Sequence, residues 1–305
     1  MANILVAGLI NIETTLKIDG FPFEYTPVRY PFFGINSTVS GVGYNIVKAL
    51  LTLSDQVTFL SLVGDDAAGT LVRDALAKLD AADTHVLTQL SQTPQSVILY
   101  EPSGRRTINT DLKDIQEQTY PPDRAEAALK GVDLAVLCNI NFSRPLLSMA
   151  KSMGIPIATD IHAISDLNDH YNRDYMAHAQ ILFQSHERLY MPPEVWARKL
   201  WEVYGVEIVV VGMGGDGALL AVRRDNFMER IPAAHTRQVV NTIGAGDALF
   251  SSFLHTYLRT RDPYEAIRKA TVFASWKIGA VGAAEGFLPE SDLDRLYQQV
   301  PSNEQ

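Results

Sequence analysis

The feature that most restricts this chain is a rhythm. Short runs rich in Val, Ile and Leu recur at Ile4–Gly8, Gln56–Val63, Val132–Leu137, Ile155–Thr159, Ile181–Phe183 and Glu207–Val211. Between them lie stretches of helical periodicity at Tyr44–Leu53, Ala67–Leu79, Asp123–Leu129, Leu146–Ser152 and Pro193–Tyr204. The runs show little polar alternation, as strands covered on both faces do. Strands separated by helices pair through right-handed crossovers. The expectation is an α/β fold with a mostly parallel sheet and helices on both faces. The chain's 305 residues suffice for one large domain of this kind with a small appendage.

Two segments break the rhythm. Ile12–Gly41 follows the first run with no helix, and Pro94–Asp111 reads as two strands around the turn Pro102-Ser103-Gly104. Together they predict a small protruding sheet, able to cover a cleft. The expected division is an α/β body over residues 1–11, 42–93 and 112–305, and a discontinuous β lid over 12–41 and 94–111. From Asp247 onward the pattern is helical. Asp262-Pro263-Tyr264-Glu265 is a helix start, with Asp at the N-cap, Pro at the first helical position and Glu at the third.

The formal net charge of −9 argues against a nucleic-acid partner, which requires a basic face. It leaves phosphate ligands open, because backbone amides bind phosphate without basic side chains. The lone cysteine, Cys138, excludes an intrachain disulfide and reads as a small core residue in "DLAVLCNI". No apolar run approaches the roughly 18 residues of a membrane span. The opening "MANILVAGLIN" reads as a first strand and not as a signal peptide. A cytoplasmic protein with no membrane partner is expected.

Few motifs carry chemistry. "GMGGDG", Gly212–Gly217, matches Gly-x-Gly-x-x-Gly, but a strand-like "ALLAVRRDNF" follows where a dinucleotide site needs a helix. It reads as a strand-end turn open to a nucleotide, or as a plain tight turn. There is no Walker-type loop, no Gly-x-Ser-x-Gly elbow and no metal-ligand spacing of histidines. His162, His170 and His178 read as surface or satisfied polar residues. In "VVNTIGAGDALF" the small residues Gly244, Ala245 and Gly246 let successive amides converge, and a helix starting there adds its unpaired first-turn N–H groups. That is an anion hole. Asp247 beside it is either a base for an attacking hydroxyl or an ordinary acid of a helix first turn. "SGVGYN", Ser40–Asn45, is a second glycine turn into a helix, ending in an amide. Asn11 and Glu13 follow the first strand, at the end where α/β sheets bind ligands.

Together these stretches resemble the ribokinase-like (PfkB-type) carbohydrate kinase family over nearly the whole chain. "NTIGAGDALF" looks like its C-terminal signature, "SGVGYN" like its N-terminal one, and "VGDDAAG" and "VVVGMGGDGALL" fall in the family's order. The resemblance implies a three-layer sandwich with a small β-sheet lid, and transfer of the ATP γ-phosphate to a hydroxyl of a sugar or nucleoside. It implies Asp247 as catalytic base and Gly244, Ala245 and Gly246 as anion hole. It implies substrate contacts from Gly41, Gly43 and Asn45, with Glu13 where many members have a hydroxyl-binding Asp; Asn11, by its place after the first strand, and Arg106, by its place on the small sheet, are further substrate-side candidates. Nucleotide-side positions would be Gln184, Glu187, Gly212, Gly214, Gly217, Asn241, Thr242 and Gly282, with Glu187 linked indirectly to Mg2+.

The chain departs from the family pattern in places. Asn241 replaces a usual Asp whose neighbourhood holds a monovalent cation in some members, which puts potassium activation in question. Gln184 replaces an Asn, Ser40 a Gly, and Val42 stands where ribokinases often have Lys. Glu13 stands where many members have Asp. Arg105 and Arg106 either reach a ligand or sit in a solvated turn. Tyr30, Phe32 and Phe33 either stack on a base or sugar face, or pack against the body or a second subunit. A sugar kinase, a nucleoside kinase and a non-catalytic binder are the competing expectations, with a homodimer formed through exposed lid edges.

Overall fold

The computed structural model describes residues 2–79 and 81–300. The strands are β1 (Asn3–Ala7), β2 (Asn11–Lys17), β3 (Ile35–Ser40), β4 (Gln56–Gly64), β5 (Val86–Leu90), β6 (Gln95–Tyr100), β7 (Arg106–Asp111), β8 (Leu134–Leu137), β9 (Ile157–Asp160), β10 (Ile181–Ser185), β11 (Ile208–Gly212), β12 (Ala218–Val222) and β13 (Phe227–Ile231). The helices are α1 (Val42–Thr52), α2 (Ala67–Lys78), α3 (Pro122–Leu129), α4 (Arg144–Ser152), α5 (Arg173–His178), α6 (Pro193–Tyr204), α7 (Ala245–Thr260), α8 (Pro263–Lys277) and α9 (Glu290–Gln299).

The large sheet runs β13-β12-β11-β10-β9-β8-β1-β4-β5, parallel from β11 to β5 with β12 and β13 antiparallel at one edge. Its central strand shows why the apolar runs lack alternation. Leu5 and Ala7 of β1 join one core with α3, α4, α5 and α6, while Ile4 and Val6 join another with α1, α2, α7 and α8. Each face needs its own apolar row, so the four buried residues Ile4–Ala7 are all apolar. The result is a three-layer sandwich of helices, sheet and helices, as the resemblance implies. Where the expected strands and helices fell, the structure has elements within a few residues. It adds β5 and β13, whose half-exposed edge patterns lack a continuous apolar run, and the six-residue α5.

The chain passes from β1 to β4 and β5 on one side, then returns to place β8 on the other. That reversal opens a crevice at the strand C-termini beside β1. Over it stands a small sheet of order β3-β2-β6-β7. Its entry is pinned by Asp66, which caps α2 through the Gly69 amide (2.7 Å) and accepts from both the Thr93 amide (2.8 Å) and hydroxyl (2.7 Å). The "VGDDAAG" stretch is thus a helix cap that doubles as an anchor for the chain entering β6. One face of the small sheet carries Asn11, Glu13, Ser96, Ile98 and Tyr100 as buried residues. Ile98 and Tyr100 pack on Ile243 and Ala283 of the body.

Candidate active site

The turn before α7 is built by backbone geometry. Gly244 has φ +75°, and a Cβ there would lie 2.5 Å from the Ala283 carbonyl oxygen, so only glycine fits. As the N-cap it offers no side-chain acceptor. The Ala245 amide donates to the Thr242 carbonyl (3.3 Å) and the Ala248 amide to the Gly244 carbonyl (3.0 Å). The amides of Gly246 and Asp247 are left without an intrahelical acceptor at the positive end of the helix dipole. A Cβ on Gly246 would meet nothing within 4 Å, so the space beside this residue is open.

Neighbouring side chains hold the turn. The Ile243 amide donates to Asn241 Oδ1 (3.0 Å), and Asn241 Nδ2 donates to the Val281 carbonyl (2.5 Å). Arg106 reaches across from β7 to donate to the Thr242 hydroxyl (2.8 Å), tying the small sheet to the body. Gly282 lies in the adjoining loop, its amide donating to Glu285 Oε2 (3.1 Å).

Asp247 is reached by a chain of polar groups from the small sheet. Asn45 Nδ2, from the first turn of α1, donates to Asp247 Oδ2 (2.7 Å). The Ser40 hydroxyl lies 3.2 Å from Asn45 Oδ1 and 3.1 Å from Glu13 Oε2. The Gly41-Val42-Gly43 turn delivers Asn45. A Cβ on Gly43 would fall within 2.6–2.9 Å of the Gly8 backbone, so glycine lets α1 press against the end of β1. Beside the chain, Asn11 Nδ2 donates to the Ser96 hydroxyl (3.0 Å). Among the described residues Asn11 Oδ1 and Glu13 Oε1 are buried with no partner of hydrogen-bond geometry, as expected of groups that face a ligand hydroxyl.

The electrostatics fit a base. Burial pushes the Asp247 carboxyl up to about 6; the Asn45 hydrogen bond opposes this, Asp160 adds to it, and His162 and Lys277 oppose it. Burial likewise raises Glu13, against the Ser40 hydrogen bond. Asp160, at the end of β9, is raised by burial and opposed by His162, whose amide donates to Asp160 Oδ1 (2.8 Å). Cys138 is buried, with its thiol pushed up by burial first, consistent with an inert core residue.

The remaining candidates form a second group at the ends of β10 and β11. Gln184 is buried there; its Oε1 accepts from the Trp196 indole N–H (2.8 Å) and its Nε2 has no partner among the described residues. Glu187 is exposed in the following loop. Gly212 ends β11, a short turn spans Gly214–Asp216, and Gly217 (φ +93°) leads into antiparallel β12. A hairpin, not a strand–helix unit, follows these glycines, so the turn is no dinucleotide fingerprint. Cβ atoms on Gly214 and Gly215 would meet nothing within 4 Å. Tyr30, Phe32 and Phe33 line neither group and do not pack on the body: they are 77%, 86% and 107% exposed.

Sequence reasoning missed Asp160 and Lys277 here, while His162, read as a surface or satisfied polar residue, is exposed. Asp160 and His162 act on Asp247 from a strand end that carries no motif. Lys277 is fully buried at the end of α8, with its ammonium donating to the Ile243 carbonyl. The available signal was a single charge inside the otherwise apolar "ATVFASWKIGAV".

A parallel α/β sandwich with an anion-ready helix start beside a buried carboxylate is the layout of a phosphoryl-transfer site. The family model for pfkB family carbohydrate kinases matches residues 1–291. Acarbose 7(IV)-phosphotransferase of an Actinoplanes species is 24% identical over 295 residues, spanning 96% of this chain and 97% of that one. Among solved structures, the microbiome-derived acarbose kinase Mak1 superposes with a TM-score of 0.86 at 24% identity, covering 97% of this chain and 99% of that one. The Burkholderia thailandensis nucleoside kinase in complex with inosine gives a TM-score of 0.79 at 17% identity, covering 98% of each chain. The chain belongs to the pfkB family of carbohydrate kinases. It is an ATP-using phosphotransferase with an alcohol group as acceptor.

Proposed function

We propose that the chain phosphorylates a sugar, at a hydroxymethyl or other hydroxyl group, with Asp247 as general base. The carrying observation is the line Glu13–Ser40–Asn45–Asp247, which runs from the small sheet to a carboxylate beside open helix amides. In this reading Asp247 takes the proton of the acceptor hydroxyl. The acceptor oxygen bonds to the γ-phosphorus, the bond from that phosphorus to the bridging oxygen breaks, and ADP leaves with the electron pair. The amides around Gly244, Ala245 and Gly246 face the charge that gathers on the transferring phosphoryl oxygens. Asn11, Glu13, Asn45 and the turn glycines Gly41 and Gly43 shape the acceptor side. The small sheet acts as a lid, excluding water that would otherwise hydrolyse ATP.

A sugar is favoured over a nucleoside because the inner face of the lid offers amide, carboxylate and hydroxyl groups, while Tyr30, Phe32 and Phe33 lie outside it. The acarbose phosphotransferase among the relatives supports the same choice. Gln184, Glu187, Gly212, Gly214, Gly217, Asn241, Thr242 and Gly282 are assigned to the nucleotide side. Among the described residues no group of three or more His, Cys, Asp or Glu could hold a metal. Mg2+ would arrive with ATP, held mainly by phosphate oxygens and water, with Glu187 as the acid assigned to its hydration shell. Ile35 and Val97, 59% and 45% exposed on the outer face of the lid, support a homodimer through paired lids. The cytoplasm supplies the ATP. Among the described residues no helix is long and apolar enough to cross a membrane.

The test is ADP release from Mg-ATP against a panel of sugars, oligosaccharides and nucleosides. Turnover with a sugar and none with nucleosides is expected. Turnover with nucleosides alone reassigns the acceptor class, and ligand-dependent melting shifts without any turnover would make the chain a binding protein.

A further inference from the structure

The turn that presents Gly246 has a buried backbone carbonyl, that of Ile243, which needs a donor or a cation. A monovalent cation lodged among such carbonyls and an acid could brace the turn. The residues present do not fit one. Asn241 is neutral and turns an N–H, not an oxygen, toward the Val281 carbonyl (2.5 Å). The Ile243 carbonyl already accepts from the Lys277 ammonium. Lys277 is 0% exposed, an unusual place for an ammonium unless it is held by acceptors and opposite charge. It comes from the last residue of α8, whose end is fastened to the same turn: the Val240 and Asn241 amides donate to the Ile278 carbonyl (2.9 and 3.2 Å).

We propose that Lys277 is the built-in cation of this turn, bracing the Ile243 carbonyl so that the Gly244–Gly246 backbone keeps its anion-binding shape, and that the enzyme needs no added monovalent cation. The proposal rests on the reading of that backbone as the anion hole. Lys277 is a positioning residue, since its partner is the turn. Its charge is faced by Asp247 from α7, Glu13 from β2 and Glu285 from the loop after α8, with Arg237 opposing from the segment before α7. Burial, the largest influence, lowers the ammonium to about 8, and the three carboxylates oppose this. In turn Lys277 lowers Asp247, which Asp160 raises and His162 lowers. Loss of Lys277 therefore raises the Asp247 carboxyl and moves the acid limb of kcat/KM to higher pH.

The test uses wild type, Lys277→Met, Lys277→Ala and Asp247→Asn in potassium, sodium, methylammonium and tetramethylammonium chlorides at equal ionic strength. Two readouts are taken: melting temperature with and without Mg-ADP, and ADP release with an active acceptor. Wild type should melt and turn over alike in all four salts. Lys277→Met should lose about 10- to 100-fold in kcat with a small change in the KM for ATP, and its acid limb should shift upward. Lys277→Ala should be stabilised specifically by methylammonium or potassium, by about 3 °C, because the emptied space accepts a cation. Potassium-specific activation or stabilisation of wild type overturns the proposal. So does wild-type kcat and pH dependence in Lys277→Met while Asp247→Asn is inactive. Should the lysine variants fail to fold, the wild-type salt series still decides. An active Asp247→Asn would instead remove the base reading, and the melting series would continue to test the brace.

Discussion

The molecule starts two helices from glycine turns, and the two turns use glycine for opposite ends. At the start of α1, Gly43 is packed so closely on Gly8 that any side chain collides with backbone. At the start of α7, Gly246 has nothing within 4 Å where its side chain would be. The first glycine closes a gap between helix and sheet, and thereby delivers Asn45 to Asp247. The second keeps a space empty beside two free amides. One turn is about packing and the other about a ligand, although both read as Gly-x-Gly before a helix. The contrast separates stability from activity, and substitutions can break it.

The largest effect is expected at Asp247. Asp247→Asn should lose roughly 100-fold or more of kcat with little change in ATP binding. It should also melt higher. The Asp247 carboxyl stands near 6 in the folded chain against an ordinary 3.8, so its neutral form stabilises the fold fully below 3.8. That contribution is lost as pH rises through about 6. By linkage the ionised form costs up to about 3 kcal/mol at pH 7, an upper limit because the residue keeps some solvent contact. Asparagine removes that cost; melting measured at pH 7 and pH 4 should show the gain only at the higher pH.

Next come the glycines. Gly246→Val should slow turnover by about 100-fold while leaving the melting temperature close to wild type. Gly43→Val should instead destabilise by about 3 kcal/mol or more, read from denaturant unfolding, because backbone must move. Equal effects of the two on stability would erase the distinction. A smaller loss, about 10-fold in kcat, is expected for Asn45→Ala, which removes the hydrogen bond that lowers Asp247. The smallest belongs to Arg106→Ala. It frees the hydroxyl of Thr242, whose carbonyl still holds the turn, and should raise KM by about threefold with kcat nearly kept, as steady-state kinetics would show.

The fold was legible because strands buried on both faces must be apolar throughout, and that leaves a mark on each run. The tight turn before α7 was legible for a similar reason: Gly244 sits at φ +75° against the Ala283 carbonyl, and only glycine satisfies both constraints. What escaped has no local signature. Asp160 stands at the end of an ordinary strand, and its influence on Asp247 comes only from tertiary placement. Lys277 looks like a cation suited to the end of a helix, as many surface lysines are, and only packing shows that it is buried. The aromatic trio was left among several readings, and packing on the body is the one the structure does not bear out. Tyr30, Phe32 and Phe33 have the composition of a stacking platform, yet the structure leaves them facing solvent.

The central claim is that the acid beside the open turn is an ionisable base and not a helix-capping ornament. The pH dependence of kcat/KM with an active acceptor tests it most directly. The account predicts an acid limb near the 6 to which burial has raised Asp247, activity falling as pH drops through it, and the limb displaced upward in Asn45→Ala. A profile flat from pH 8 down to about 4, or a limb unmoved by the loss of Asn45, would contradict it.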